Sequence, residues 1–131
     1  MLLDTNIVSY FFRNDSRAQL YERQLMGRSR YISFATQAEL FQWLFLRPFS
    51  EQNRERLLAH IRAHVVLPYD HELAWTWAEM TAYCKKKGIG LSDADADAWI
   101  AATALRHGLP LVTHNRRHFD HVPGLILISE G

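Results

Sequence analysis

Three carboxylates stand where an apolar chain has little reason to place them: Asp4 directly after Leu2-Leu3, Glu39 early in an apolar helical stretch, and Asp97 just before Ile100-Ala101-Ala102. An unpaired buried carboxylate costs several kcal/mol or more, so acids in such surroundings need a common partner. A cation gathered between them is that partner, and a site made of oxygen donors points to magnesium.

Each acid also has a simpler reading. Asp4 heads Asp4-Thr5-Asn6 and can cap a following helix. Glu39 closes Thr36-Gln37-Ala38-Glu39, the pattern in which Thr and Glu reciprocally satisfy backbone donors. In Ser92-Asp93-Ala94-Asp95-Ala96-Asp97, Ser92 can cap a helix while Asp93 and Asp95 sit against the positive end of its dipole. Asp97 lies past those positions, on the face of Ile100, Ala101 and Ala104, and needs a partner. Asp93, four residues earlier on nearly the same face, is the reserve ligand. The segment Leu111-Val112-Thr113-His114-Asn115 reads as a buried strand entering a polar elbow, where a hydroxyl and an amide can hydrogen-bond a carboxylate; Asn is also a favoured turn residue. His114 and His118 have the spacing of a zinc helix, but neither a cysteine pattern nor His-Glu-x-x-His accompanies them.

The elements that must position these groups alternate. Short apolar runs predict strands at Leu2-Leu3, Tyr31 to Ser33, Val65 to Leu67, Leu109 to Val112 and Leu125 to Ile128. Helical spacing predicts helices over Arg17 to Met26, Thr36 to Leu46, Glu51 to His64, His71 to Lys87 and Asp93 to His107, the last closed by Gly108-Leu109-Pro110. That alternation predicts an α/β three-layer sandwich, a parallel sheet of about five strands flanked by helices. No repeat or linker divides residues 1–131, so a single domain is expected. Open parallel sheets bind ligands beyond the carboxyl ends of their strands, which places Asp4, Glu39, Thr113 and Asn115 on one edge.

Composition narrows the class. The apolar share of 48% with a charged share of 22% is globular, and the net charge of +1 leaves any nucleic-acid surface to a local patch. The lone Cys84 cannot form an internal disulfide, MLLDTN meets a charge at position 4 before a signal-peptide core can develop, and no run suits a membrane span. The expected compartment is cytoplasmic, with no membrane association.

With these positions in hand, the chain resembles the PIN-domain ribonucleases, specifically VapC-type toxins of type II toxin-antitoxin systems. The resemblance rests on LLDTN at residues 2–6, the Thr36 to Glu39 region, DAWIAATALRHGLPLVTHN at residues 97–115 and RHFDHVPGL at residues 117–125. It implies a PIN-like nuclease domain acting as a metal-dependent endoribonuclease on RNA, with transfer RNA a candidate, held by a cognate antitoxin and built as a homodimer. By position it makes Asp4, Glu39 and Asp97 the acidic ligands of Mg²⁺, for which Mn²⁺ can substitute, with Thr113 and Asn115 completing the catalytic site. Many relatives carry an aspartate near the place of Asn115, so a second metal needs charge from Asp93, Asp120 or the RNA phosphate.

In the mechanism this implies, Asp4 and Asp97 bind the metal directly and Glu39 orients and deprotonates the attacking water. Arg116, Arg117, Arg13 and Arg106 are the expected RNA contacts, whereas Lys85 to Lys87 before Gly88 suit a helix C-terminus. The apolar stretch Leu40 to Leu46, with Trp75, Trp77 and Trp99, suits an antitoxin groove or a dimer surface. A haloacid-dehalogenase type site needs a second Asp where Asn6 stands. A degenerate PIN domain that binds RNA or a partner without cleaving is the alternative from a non-enzyme class.

Overall fold

Leu2 and Leu3 point to opposite faces of the sheet, as successive strand residues must, and each joins a different hydrophobic core. Leu111 and Val112 alternate in the same way. The sheet is therefore covered on both faces, which makes three layers. The computed structural model describes residues 1–91 and 96–131.

Among the described residues five parallel strands, β1 (Leu2–Leu3), β2 (Tyr31–Ser33), β3 (Val65–Leu67), β4 (Leu111–Val112) and β5 (Leu127–Ile128), lie in the order β3-β2-β1-β4-β5. Among the described residues six α-helices accompany them: α1 (Thr5–Phe12), α2 (Gln19–Leu25), α3 (Phe34–Leu46), α4 (Glu51–Arg62), α5 (His71–Lys87) and α6 (Ala96–His107). One core packs Ile7, Val8 and Tyr10 of α1 with Tyr21, Leu40, Leu44, Leu57 and Ile61; the other packs Leu73 and Met80 of α5 with Ala98, Ile100, Ala101 and Ala104 of α6. The expected α/β sandwich is the fold observed.

Several boundaries differ from expectation for local reasons. The first turn of the Arg17 to Met26 stretch is 3-10, Ser16–Ala18, with the Asp15 carboxylate accepting from the Arg17 N–H. The strands expected from Leu109 and from Leu125 begin two residues later, at Leu111 and Leu127. Gly108, at φ 62°, lets the chain close α6 before β4: Leu109 N–H donates to Ala104 O at 3.0 Å, and Pro110 follows. Gly88 closes α5 in the same left-handed conformation after Lys85 to Lys87, as expected.

The helix α1 escaped prediction. Thr5-Asn6-Ile7-Val8-Ser9-Tyr10-Phe11-Phe12 is rich in β-branched and aromatic residues, which are poor helix formers. Burial of Ile7, Val8 and Tyr10 against the sheet outweighs that propensity.

The competing reading of Thr36 and Glu39 as a capping box does not hold. The cap of α3 is Ser33, whose Oγ accepts from Thr36 N–H at 3.1 Å, so the helix starts at Phe34 and Glu39 is released from cap duty. Ser92 and Asp93, the expected cap and reserve ligand, lie outside the described residues. Among the described residues no helix is long and apolar enough to cross a membrane.

Candidate active site

Asp4 ends β1 and begins α1, and it does two things at once. Its Oδ1 accepts from the Thr5 backbone N–H at 2.7 Å, capping the helix, while its Oδ2 accepts from the Thr113 hydroxyl at 2.7 Å. The cap reading and the site reading of Asp4 are therefore compatible. Thr113 follows β4, the neighbour of β1 in the sheet, so parallel pairing of these strands brings the hydroxyl to the carboxylate. Its Oγ1 also accepts from Asn115 N–H at 3.0 Å, which fixes the elbow.

Glu39 is held in a similar way. Thr5 Oγ1 donates to Glu39 Oε1 at 2.7 Å and lies 3.0 Å from Thr36 Oγ1, so a chain of hydroxyls joins the first turns of α1 and α3. Thr5, Thr36 and Thr113 are buried, which gives these bonds a protected, low-dielectric setting.

Asp97 stands in the first turn of α6, above buried Ile100, Ala101 and Ala104. The partner it needs is His118, whose Nδ1 lies 2.8 Å from Asp97 Oδ2. Sequence reasoning missed this role, because it weighed His118 only as a zinc ligand beside His114. The two histidines do not converge: His114 Nδ1 lies 2.6 Å from the Tyr21 hydroxyl and its ring packs edge-on against Tyr10 and Tyr21.

The three acids share a cleft of about 320 Å³, lined also by Thr5, Asn6, Ser9, Arg13, Trp43, Arg47, Asn115 and His118. Asp4 is 5% exposed. Burial pushes its carboxyl up from 3.8 to about 6; the Thr113 hydroxyl opposes the shift, the Asp97 charge adds to it, the Thr5 N–H opposes it and the Glu39 charge adds to it. Burial, with the neighbouring Asp97 and Glu39 charges, thus disfavours the ionised form of Asp4. Among the described residues, no three His, Cys, Asp or Glu side chains form a ready-made metal cage. The Asn6 Nδ2 is buried without a hydrogen-bond partner, a donor left for an incoming oxygen.

The other expected residues divide. Arg13 reaches the cleft. Arg106 does not: it stands in the last turn of α6, 3.8 Å from Asp70 and 3.9 Å from Glu72, and the length of the helix separates it from Asp97. Arg116 and Arg117 lie in the exposed 3-10 turn Arg116–His118 outside the cleft lining, with Arg116 paired to Asp120 at 3.5 Å. Trp43 and Arg47 line the cleft and were not expected there. Their spacing from Glu39 by one and two helical turns was the available signal.

The model of the family described as "PIN domain" matches residues 1–125, a span that includes every residue lining the cleft. The chain belongs to the PIN-domain family. Among curated proteins it is similar to the plasmid stability protein StbB of Pseudomonas syringae pv. tomato, 32% identical with 98% of this chain and 96% of that protein covered. It is also similar to Ribonuclease VapC1 of Haemophilus influenzae, 31% identical with 95% and 92% covered, and to Toxin FitB of Neisseria gonorrhoeae, 30% identical with 91% and 90% covered. Among solved structures this PIN domain is similar to DNA-bound VapBC from Salmonella typhimurium, at a TM-score of 0.84 and 27% identity over 98% of this chain and 96% of that one. These relatives identify it as a PIN domain of the VapC type.

Proposed function

We infer that this PIN domain is a Mg²⁺-dependent endoribonuclease serving as the toxin of a toxin-antitoxin pair. The observation that carries the reading is the convergence of Asp4, Glu39 and Asp97, from three distant segments, in one cleft whose buried hydroxyls hold Asp4 and Glu39 in place. The names of the relatives, a ribonuclease and a toxin, agree with it.

The residues present fit magnesium. All the acids offer hard oxygen donors, and the burial that raises the affinity of Asp4 for a proton, with the Asp97 and Glu39 charges adding to it, equally favours a divalent cation beside its carboxylate. Mg²⁺ keeps several waters and is commonly held by one or two carboxylates plus a substrate phosphate, so the cleft need not be a closed cage. Asp4 and Asp97 would hold it. When bound, it supplies Lewis acidity toward the phosphate and the attacking water. Mn²⁺ serves in the same role.

The chain's own residues do the rest. Thr113 fixes the Asp4 carboxylate, and His118 fixes that of Asp97. Glu39, oriented by Thr5, takes the proton of the attacking water as its oxygen bonds to phosphorus. The P–O3′ bond breaks and the leaving 3′ oxygen takes a proton from solvent, giving a 3′-hydroxyl and a 5′-phosphate. Asn6 Nδ2 is available to a phosphate oxygen. A structured cellular RNA such as a transfer RNA is the proposed substrate.

Similar solved structures include VapBC from Salmonella typhimurium and VapBC-5 from Mycobacterium tuberculosis, a member of the VapBC family of toxin-antitoxin systems. A cognate antitoxin is accordingly the proposed partner of this chain, with a homodimer as the proposed assembly. On α3, Phe45 and Leu46 are 83% and 71% exposed, so the apolar excess seen in the sequence reaches the surface there. Trp77 and Trp99 do not join it; they stack on each other at 4.9 Å within the other core.

Purified protein freed of partners, incubated with cellular RNA and Mg²⁺, should give discrete cuts with 5′-phosphate ends. These should vanish with EDTA and in Asp97→Asn. Folded protein that cleaves no RNA with any divalent metal would move the reading to a PIN domain that binds without cleaving.

A further inference from the structure

We propose that the cleft continues between α1 and α3 as a groove for single-stranded RNA, in which Trp43 stacks on a base and Arg13 and Arg47 hold a phosphate beyond it. The proposal rests on the nuclease reading above and extends it to the way substrate is held.

Two rows of side chains form the groove. Thr5, Ser9 and Arg13 follow one another at four-residue spacing along α1 and its C-cap; Glu39, Trp43 and Arg47 do so along α3 and its C-cap. Four-residue spacing keeps each row on one face of its helix, and all six residues line the same cleft. Thr5 bonds both Thr36 and Glu39, so the two rows are tied together at the acid end. Both helices begin at the carboxyl ends of strands and run away from them.

Each row therefore starts in the acidic centre and ends in an arginine. At the α-helical rise, eight residues separate the two ends of a row by about 12 Å. Set at the far end of each row, the arginines are placed to meet a phosphate next to the one bound at Asp4 and Asp97.

Both cations are open to such a ligand. Arg13 Nε donates to Ser9 Oγ at 3.0 Å, and its contact with Asp15 is only 4.0 Å, while Asp15 receives two bonds from the Arg17 guanidinium at 2.9 and 2.7 Å. Arg47 is exposed and makes no ion pair with a described residue; its guanidinium lies 4.2 Å from the centroid of the Trp43 ring. Guanidinium stacked on indole is a planar platform of the kind that unstacked bases occupy.

The occupant follows from charge and shape. A chain carrying one negative charge per residue suits a groove that is cationic at one end and takes a metal at the other. Only a single strand exposes base faces to Trp43. An antitoxin segment competing for the same groove is the other occupant the experiment must separate.

The test is binding of a labelled single-stranded RNA to the full chain in EDTA, by anisotropy over a salt series and by tryptophan quenching. Arg47→Ala should weaken binding about tenfold and flatten the salt slope by about 0.7, the share of one phosphate on a single strand. Arg47→Lys should retain the slope while losing part of the affinity. Trp43→Phe should remove the RNA-induced quench and also weaken binding.

Unchanged affinity and slope in Arg47→Ala, with unchanged quenching in Trp43→Phe, overturn the groove, and the two conservative variants keep the result independent of any folding defect in Arg47→Ala. Variants that bind RNA normally but lose the antitoxin also overturn it and give the groove to a peptide. Wild-type protein that binds RNA through these residues yet never cleaves it supports the groove and removes the nuclease reading. Wild-type protein that cleaves, with groove variants indistinguishable from it, keeps the nuclease and removes the groove alone.

Discussion

The Thr113 hydroxyl donates to Asp4 Oδ2 at 2.7 Å across 109 residues of sequence, joining the end of β4 to the end of β1. That bond decides how an acid which is 5% exposed presents its second oxygen to the cleft. A buried carboxylate deprived of such a donor costs about 1–3 kcal/mol.

Thr113→Val keeps the shape of the side chain and removes the hydroxyl. Denaturant unfolding should show a loss of about 1–3 kcal/mol at neutral pH, and RNA cleavage should fall about 10- to 100-fold. Thr113→Ser should recover most of both. A valine variant as stable and active as the parent would show that the bond does not hold Asp4 in place.

Asp4 makes stability depend on pH in a defined direction. Its carboxyl is raised from 3.8 to about 6, first by burial and then by Asp97 and Glu39, so the metal-free fold favours the protonated acid. The contribution is fully present below about pH 4 and is lost as pH rises through 6. The span corresponds to about 3 kcal/mol. Asp4→Asn should therefore be more stable than the parent in EDTA at pH 8, with little difference near pH 4, while losing cleavage. Equal urea midpoints at pH 8 would remove this electrostatic cost.

Magnesium and the proton compete for the same carboxylate. Calorimetric titration should give Mg²⁺ affinity that falls as pH drops below 6, with protons released on binding in that range. An affinity that is flat between pH 5 and 8 would take Asp4 out of the ligand set.

His118 holds Asp97 Oδ2 at 2.8 Å from a position that is half exposed. His118→Ala should lower Mg²⁺ affinity or cleavage about 10- to 100-fold with little effect on unfolding. Arg106→Ala is the contrasting substitution: its side chain pairs with Asp70 and Glu72, so RNA affinity and its salt slope should stay at the parental values. A slope change there would restore Arg106 to the RNA surface.

Sequence alone determined the strand and helix alternation and hence the parallel sandwich, because burial on both faces writes short apolar runs and helical periods into the chain. It also marked Asp4, Glu39, Asp97, Thr113 and Asn115, since polar groups at strand ends and on apolar helix faces break those patterns. It could not show α1, whose residues prefer extended structure and become helical only through packing on the sheet. It left the cap of α3 open, because Ser33 and Thr36 carry the same kind of capping hydroxyl and only the path of β2 selects between them. Nor could it sort the arginines: nearness along the chain favoured Arg106 and Arg116, whereas the helix axes decide which face and which end a side chain occupies. Tertiary structure alone brought His118 to Asp97, Thr5 to Glu39, and Trp43 with Arg47 into the cleft, since each of these contacts depends on how α1, α3 and α6 are docked on the sheet.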